Sequence, residues 1–344
     1  MIILVTGGAG FIGSHTCAEL LRNGHEVVIA DDYSNSSPAA VAAIREMSGA
    51  SLAVHEVDLR DRHALARVFT AHRIDAVIHF AAKKSVRESV RLPLDYYAVN
   101  VGGTISLITT MLEHHVHQLV FSSSCSIYGD RYSGPISEDD ETGPTNPYAR
   151  SKLICEQILA DACPRYPELS VIALRYFNPV GAHPGGGLGE DPRGVPSNVL
   201  PYMMQVALRL IERLDVYGGD YDTADGSGVR DYIHVMDVAE AHCLALDHLA
   251  DETGKRALNL GTGHGVSVLQ LLATFQAVTG TTIPYRMVGR QPGDVGTLIA
   301  DPARIEKLWG WRTSRDLGAM CRDAWQFQSL HPGGYEPTAA MKSG

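Results

Sequence analysis

Tyr148 and Lys152 are two side chains whose types and spacing suit proton transfer. They lie four residues apart in Tyr148-Ala149-Arg150-Ser151-Lys152, which places both on one face of a helix. A phenol with its ordinary pKa of about 10 is too weakly acidic to act as a base at neutral pH, but a neighbouring ammonium favours the phenolate. We therefore expect Lys152 to lower the pKa of Tyr148, which would then accept the proton of a bound hydroxyl group.

A run of serines supplies a third candidate. Ser122, Ser123 and Ser124 end an apolar segment that is typical of a core strand. In doubly wound sheets the carboxyl end of the strands carries the ligand site, and a hydroxyl there can bind the reacting oxygen and relay its proton. Ser124 suits this role best, whereas Ser122 and Ser123 are better explained as partners of backbone groups.

The first strand runs directly into a glycine turn. Gly7, Gly10 and Gly13 form a GxxGxxG pattern between an apolar strand and a helix. Glycines at such a turn let the backbone approach a pyrophosphate, whose charge is stabilised by the helix N-terminus. The pattern alone is weak, but its position and the later serine, tyrosine and lysine together predict a dinucleotide site with hydride chemistry on a bound alcohol.

Carboxylates at the ends of the next strands bear on which dinucleotide is bound. Asp31 and Asp32 follow the second strand, where a carboxylate accepts hydrogen bonds from the adenosine ribose and repels the additional phosphate of NADP. We therefore predict NAD as the cofactor, although Asp31 could simply begin a polar loop. Asp58 lies where an adenine contact is expected, and capping of a turn explains it nearly as well.

Alternating strands and helices are required to hold these residues together. Apolar segments predict strands and periodic segments predict helices, an alternation typical of a parallel sheet covered on both faces. Asp61 is expected to cap the helix that follows Leu59. Residues 178–198 are rich in Gly and Pro and are predicted to form no regular element, and a helix is expected near Pro201–Arg213. The predicted strands are Ile2–Val5, Glu26–Ala30, Ala76–Phe80, Leu119–Ser122 and Val171–Arg175, and the predicted helices are Ser14–Asn23, Arg62–Ala71 and Val99–His114.

Composition narrows the class of protein. The chain has 344 residues, 45% of them hydrophobic, and a net charge of −10, which argues against a nucleic-acid or anionic-membrane surface. Its six cysteines show no zinc-ligand spacing, so we expect reduced thiols and no metal. The first residues lack the features of a signal peptide, and no apolar run approaches the about 20 residues of a membrane span. We expect a cytoplasmic protein.

Longer passages resemble the extended short-chain dehydrogenase/reductase family, and within it the UDP-glucose 4-epimerases. They are TGGAGFIGSH, VIHFAAKKSV, FSSSCSIYGD, PTNPYARSKLICEQIL, LRYFNPVGAHP and GSGVRDYIHVMD, and the resemblance covers about residues 1–335. It implies an α/β fold: a Rossmann-type doubly wound parallel sheet that binds NAD, with a smaller C-terminal α/β domain for a UDP-sugar. The implied NAD-binding domain comprises residues 1–177 and a return segment near 229–262. The implied UDP-sugar domain comprises residues 178–228 and 263–335, and residues 336–344 form a tail.

The same resemblance implies roles residue by residue. By this resemblance, the catalytic serine, tyrosine and lysine of the family correspond to Ser124, Tyr148 and Lys152. Cofactor-binding positions are Gly7, Gly10, Phe11, Ile12, Gly13, Asp31, Asp32, Tyr33, Asn35, Ser36, Asp58, Leu59, Phe80, Ala81, Ala82, Lys84, Asn100, Tyr148, Lys152 and Phe177. Substrate-binding positions are Lys84, Ser124, Tyr148, Asn178, Asn198, Leu200, Tyr217, Arg230, Tyr232, Arg290, Asp294 and Leu298.

Some positions depart from the family pattern. Relatives usually carry two arginines before the Gly-Asp pair, whereas this chain has Arg290-Gln291, so that Gln291 stands where an arginine binds diphosphate. Arg290 is the expected replacement. Arg87 stands where glycine is common. Leu298 occupies a position that the family links to the size of the sugar pocket. The residue at this position therefore affects whether the pocket accepts a sugar with an N-acetyl group.

The implied activity is reversible 4-epimerisation of a UDP-hexose through a 4-keto sugar, with UDP-glucose and UDP-galactose as the pair. Epimerases of UDP-N-acetylhexosamines or UDP-pentoses remain alternatives. A dehydratase needs a carboxylate where this chain has Ser124-Cys125-Ser126, and a UDP-glucuronate decarboxylase would lack the FNPVGAHP context. A non-catalytic sensor would be expected to lose Ser, Tyr or Lys. The family also implies a homodimer.

Overall fold

The computed structural model describes residues 1–192, 196, 198–291 and 293–335. The predicted tail at 336–344 lies outside these residues. The strands are β1 (Ile2–Thr6), β2 (Glu26–Asp31), β3 (Ala53–Glu56), β4 (Ala76–His79), β5 (Gln118–Ser124), β6 (Pro135–Ile136), β7 (Ser170–Tyr176), β8 (Asn178–Val180), β9 (Leu214–Tyr217), β10 (Val229–Arg230), β11 (Tyr232–His234), β12 (Gly254–Leu260), β13 (Val266–Ser267), β14 (Tyr285–Val288) and β15 (Thr297–Ala300).

Helices lie between most of these strands. The helices are α1 (Phe11–Arg22), α2 (Pro38–Ser48), α3 (Arg62–Ala71), α4 (Val86–Arg91), α5 (Pro93–Tyr96), α6 (Gly103–Glu113), α7 (Pro147–Arg165), α8 (Val199–Ala207), α9 (Val235–His248), α10 (Val268–Thr279), α11 (Ala303–Trp309) and α12 (Leu317–Leu330). A π-helical segment, Tyr97–Gly102, joins α5 to α6. Among the described residues, none of the helices is long and apolar enough to cross a membrane.

The large sheet has the order β12-β7-β5-β4-β1-β2-β3, and its neighbours pair in parallel. Apolar side chains of α1, α2 and α9 cover one face, and those of α3, α6 and α7 cover the other. The strands of a parallel sheet are apolar on both faces, so covering both faces removes apolar surface from water and stabilises the fold. The predicted α/β class and doubly wound sheet are confirmed.

The ends of two helices follow directly from local sequence. Asp61 accepts a hydrogen bond from the Ala64 amide and caps α3, as predicted. Asn146 caps α7 through the Ala149 amide, and Pro147 occupies the first turn, where its missing N–H costs nothing. Helix α7, which carries the tyrosine and lysine pair, therefore has a defined start.

A second group of elements comes mostly from the chain after β7 and includes β6. Strands β13-β10-β15-β6 form a small sheet, and β11 pairs with β8 and β14 with β9. Apolar residues of α8, α10 and α12 pack together as the core of this part.

One expectation for this region was wrong, and a second was right in kind but not in its bounds. Residues 178–198 were predicted to have no regular element, but Asn178–Val180 forms β8, because its backbone pairs with Tyr232–His234, which is distant in sequence. The helix expected near Pro201–Arg213 begins at Val199 and ends at Ala207. It ends there because Arg209 adopts a left-handed conformation with φ of 61°, which α-helix geometry excludes.

Candidate active site

The candidate catalytic residues meet at the carboxyl edge of the large sheet. Ser124 ends β5 beside Tyr176 of β7, and Tyr148 and Lys152 lie in the first turns of α7, which packs on β5. The glycine turn after β1 opens onto the same edge because β1 and β5 both run parallel to β4. The structure therefore brings together the side chains that the sequence placed at strand and helix ends.

The phenol of Tyr148 lies next to the Ser124 hydroxyl. Burial of the phenol raises the pKa of Tyr148 to about 12, and the Ser124 hydroxyl offsets only part of this rise. The expectation that Lys152 lowers this pKa was therefore wrong for the protein alone, because burial of the phenol dominates and Lys152 is not among the groups that shift it. The Ser124 hydroxyl also lies 2.9 Å from the hydroxyl of Ser126, so the two form a short polar chain next to the phenol.

The Lys152 ammonium is held from the strand side. Its Nζ donates to the backbone oxygen of Ser122 at 2.8 Å and lies 5.1 Å from the centre of the Phe121 ring. Burial lowers the pKa of Lys152 to about 8, against smaller opposing effects of Cys155 and Glu156. This position at the end of β5 keeps the ammonium inside the site rather than in solvent.

A buried ion cluster lies one helical turn beyond Lys152. Glu156 contacts Arg175 at 2.7 Å and Lys255 at 2.8 Å, and Ser123 donates to the same carboxylate. Burial alone would raise the pKa of Glu156, but its two cationic partners outweigh that effect and lower it to about 2. The cluster ties α7 to β5, β7 and β12, and so fixes the helix that carries Tyr148 and Lys152.

The glycine turn has the geometry of a dinucleotide site. A Cβ on Gly13 would lie 2.2 Å from the Gly7 oxygen, and one on Gly7 would lie 2.6 Å from the Ala81 amide nitrogen, so only glycine fits at either place. Gly10 precedes α1, and among the described residues no side chain caps that helix N-terminus and no acidic residue occupies its first turn. Phe11 and Ile12 form this first turn, whose backbone N–H groups suit a pyrophosphate.

Asp31 organises the loop that follows β2. Its carboxylate accepts hydrogen bonds from the amides of Ala9 and Tyr33 and from the Ser36 hydroxyl. Burial raises the pKa of Asp31, and these three donors oppose the rise. Of the about four acceptor positions of a carboxylate, these donors leave one on Oδ2 for a ribose hydroxyl. The residues of this structure thus fit NAD: an uncapped helix N-terminus, glycines at a close approach, and a carboxylate at the end of β2.

The other predicted cofactor residues fall into two groups. Asp32 and Asn35 are exposed in the loop after β2, where Asp32 accepts from the Ser34 amide. Asp58 forms a turn and an ion pair with Arg60, so the turn interpretation accounts for its contacts. The second group lies within the protein near the sheet edge. Its half-buried members are Tyr33 and, directly after β4, Phe80, Ala81 and Ala82. Its other members lie in apolar clusters and are Leu59 and Phe177.

Asn100 was predicted as a cofactor residue, but its side chain contacts the protein. Its Oδ1 accepts from the Lys83 amide, and its Nδ2 donates to the Lys83 oxygen and to the Ser151 hydroxyl. These bonds hold the loop after β4 against α7. In the structure Asn100 therefore positions its neighbours.

Glu190 is a functional candidate that sequence reasoning missed. This buried carboxylate accepts from Lys84 Nζ at 2.9 Å and from Asn198 Nδ2 at 2.8 Å. Lys84 was predicted to contact both cofactor and substrate, and Asn198 the substrate, so one acid holds two candidate ligands. An acidic residue inside the glycine- and proline-rich loop was the only available signal.

Two predicted substrate residues, Asn178 and Arg230, have polar groups that could bind a ligand. Asn178 has a buried Oδ1 with no hydrogen-bond partner among the described residues, a state that is costly unless a ligand completes it. Arg230 donates to the backbone oxygens of Val229 and Gly296 and lies 3.9 Å from Asp294.

Other predicted substrate residues are placed differently. Arg290 donates to Asp220 and stacks 4.3 Å over the Tyr221 ring, so it does not supply the missing guanidinium as expected. The side chains of Leu200 and Tyr232 pack in the core of the smaller part. The hydroxyl of Tyr217 accepts from Arg87, and Leu298 is buried in an apolar cluster with Cys125 and Phe177.

Comparison with known proteins gives consistent matches. The model of the NAD dependent epimerase/dehydratase family matches residues 3–261. A UDP-glucose 4-epimerase of Bacillus subtilis (strain 168) is 51% identical and aligns over 98% of this chain and 99% of its own. Two crystal structures of such epimerases have the same fold. That from Bifidobacterium longum, in complex with NAD+ and UDP, is 45% identical with a TM-score of 0.95 over 97% of this chain and 100% of that one. That from Stenotrophomonas maltophila, with bound NAD and formylated UDP-arabinopyranose, is 47% identical with a TM-score of 0.94 over 96% and 99%.

Proposed function

The chain belongs to the NAD dependent epimerase/dehydratase family, and we propose that it reversibly inverts carbon 4 of a UDP-hexose, interconverting UDP-glucose and UDP-galactose. It is thus an NAD-dependent isomerase. The observation that carries the proposal is the convergence of Ser124, Tyr148 and Lys152 at the sheet edge onto which the glycine turn opens. A proton acceptor and a hydride acceptor at one carbon are what alcohol oxidation requires.

The cofactor is held by residues already described. We assign the pyrophosphate to the N-terminus of α1 and the adenosine ribose to Asp31. When bound, NAD accepts and returns the hydride of carbon 4, and its positive nicotinamide ring adds the charge that favours the Tyr148 phenolate. Lys152, whose ammonium is fixed at the end of β5, then acts as the nearby cation of the chain itself.

Tyr148 and Ser124 handle the proton. Tyr148 accepts the proton of the 4-hydroxyl as the hydrogen on carbon 4 leaves, and a 4-keto sugar results. Ser124, which lies next to the phenol, turns its one hydroxyl hydrogen to the 4-oxygen and keeps it in line with Tyr148. After the keto sugar has presented its opposite face, Tyr148 returns the proton to the same oxygen, so the enzyme is unchanged after each cycle.

The sugar must turn over without leaving. We assign the UDP part to Arg230 and to the unpaired oxygen of Asn178, with Asn198 held ready by Glu190. A ligand bound through its nucleotide keeps the hexose in the site while the hexose rotates, which gives the reaction the advantage of an intramolecular step.

A single assay tests this function. The purified protein, with no cofactor added, is incubated with UDP-galactose and the products are followed by proton NMR. We expect UDP-glucose to form until the two sugars reach a constant ratio, and the reverse reaction to reach the same ratio. Release of a free keto product, loss of water or loss of carbon dioxide would contradict the proposal.

The remaining expectations stay proposals. We infer a homodimer, supported by a groove between α6 and α7 lined by the apolar side chains of Ile105, Ile108, Leu112 and Ile158. Light scattering of the purified protein tests it, and Ile105→Asp is expected to give monomers. The division into 1–177 with 229–262, and 178–228 with 263–335, stays a proposal, supported by the seven-stranded sheet, which lies wholly within the first part. The four-stranded sheet and the pair of β8 with β11 join strands from both parts. A cytoplasmic location is supported by six unpaired cysteines.

A further inference from the structure

Arg87 joins the two parts of the chain across the site. It lies in α4, beside the NAD-binding part, and its guanidinium donates to the Tyr217 hydroxyl at 3.2 Å and to Gln291 Oε1 at 3.0 Å. The guanidinium carbon lies 5.8 Å from the centre of the Tyr217 ring. Tyr217 and Gln291 belong to the smaller part, so Arg87 connects α4 to that part.

The charge of Arg87 is not neutralised by a direct partner. Both of its hydrogen-bond acceptors are uncharged, and no described carboxylate forms an ion pair with it. Nearby arginines differ: Arg286 is paired with Asp215 and Arg290 with Asp220. A guanidinium held by neutral acceptors keeps its charge available for an anionic ligand.

Arg87 and Arg230 face the same place. Partial burial raises the pKa of Asp294, and the guanidinium groups of Arg230 and Arg87 are the two charges that oppose this rise. Arg230 lies 3.9 Å from Asp294, and the Asp294 amide donates at 3.1 Å to the backbone oxygen of Gln291, the residue that Arg87 contacts. Two cations thus converge on one region, one from α4 and one from β10.

We propose that Arg87 binds the diphosphate of the UDP-sugar together with Arg230, which deepens the proposed function and rests on it. A diphosphate carries two negative charges and accepts paired hydrogen bonds from a guanidinium fork. The contact from Arg87 to Gln291 brings this guanidinium to the position where an arginine is usual in similar sequences. The chain thus lacks the usual arginine at position 291 but gains one at position 87. These two departures from the family pattern compensate for one another.

Calorimetric titration of the NAD-loaded enzyme with UDP and with uridine tests the proposal. In Arg87→Ala we expect the Kd for UDP to rise about 10- to 100-fold, because a charge-assisted hydrogen bond to phosphate is lost. The Kd for uridine, which lacks phosphates, should stay the same. Arg91→Ala, on the same short helix and exposed, is the matched control and should bind UDP like the wild type.

A second variant guards against an indirect effect. Arg87→Ala/Gln291→Arg moves the guanidinium to position 291 and should regain most of the UDP affinity. Unchanged UDP affinity in Arg87→Ala, or equal weakening for UDP and uridine, would overturn the proposal. If Arg87→Ala lost its circular dichroism spectrum, Arg87→Gln would be judged by the same two titrations.

The titrations separate this inference from the proposed activity. If the wild type failed to convert UDP-galactose but its UDP affinity depended on Arg87, the diphosphate contact would stand and the activity would not. If the wild type converted UDP-galactose and Arg87→Ala bound UDP normally, only the role of Arg87 would be lost.

Discussion

The ammonium of Lys152 donates a 2.8 Å hydrogen bond to the backbone oxygen of Ser122. This contact anchors the first turns of α7 to the end of β5, and with it the phenol of Tyr148. In the protein alone the phenol is a weak acid, with a pKa of about 12, and the lysine a weakened base, with a pKa of about 8. Both shifts have one cause, because burial disfavours the charged form of either group.

Lys152→Met should reduce kcat/KM at least about 100-fold, because the phenolate loses its nearby cation. Lys307→Met, at an exposed position, is the control and should have no effect. If both variants turned over UDP-galactose equally well, Lys152 would have no part in catalysis.

The same substitution makes a prediction about stability and pH. The pKa of Lys152 is about 8 in the folded chain, against 10.5 as the ordinary value. The unfolded chain therefore binds more protons between these pH values, so the stability of the wild type should rise relative to Lys152→Met as the pH increases from 8 to 10.5. Urea unfolding of both proteins at several pH values measures this difference. A difference that stays constant would contradict the shift.

Glu156→Gln should destabilise the protein by about 3–5 kcal/mol, because Arg175 would remain buried without its partner. Asp161→Asn, on the exposed side of the same helix, should be neutral. Folding lowers the pKa of Glu156 from 4.5 to about 2, so its stabilisation is complete above pH 4.5 and is lost as the pH falls towards 2. Urea titrations at pH 7 and below measure both effects. A variant as stable as the wild type would show that the cluster is not stabilising.

Glu190→Ala should raise the KM for UDP-galactose about tenfold while changing kcat less, because Lys84 and Asn198 lose their shared acceptor but remain in place. Glu190→Gln keeps an acceptor for Asn198 and should be milder. Glu212→Gln, at an exposed site, is the control. A fall in kcat with unchanged KM would argue that Glu190 serves the chemical step instead.

Leu298→Tyr tests the sugar pocket. Leu298 is 6% exposed and lies in an apolar cluster with Cys125, the residue after Ser124. The family resemblance links this position to the size of the sugar pocket, so a phenol there should leave less room for an N-acetyl group. We expect the wild type to accept UDP-N-acetylglucosamine as well as UDP-galactose. The variant should lower the ratio of the two kcat/KM values at least about tenfold. Leu308→Tyr, on the surface, should leave the ratio unchanged.

The local parts of this fold and site were predictable from sequence, and the distant contacts were not. Strand periodicity, the glycine turn and the Asp61 cap are properties of a few adjacent residues, and so is the spacing of Tyr148 and Lys152. By contrast, Glu190 meets Lys84 across 106 residues and Arg87 meets Gln291 across 204. The pKa of Tyr148 was misjudged for a similar reason, because burial depends on the packing of the whole site.

Tyr148→Phe tests the central claim most directly, because it removes only the oxygen that moves the proton. The variant and the wild type are purified, their bound NAD is released and quantified, and kcat is measured with UDP-galactose. We predict an equal NAD content and a fall in kcat of at least about 1000-fold, in the upper range for general acid–base catalysis. Wild-type turnover in a variant that still holds NAD would contradict the account.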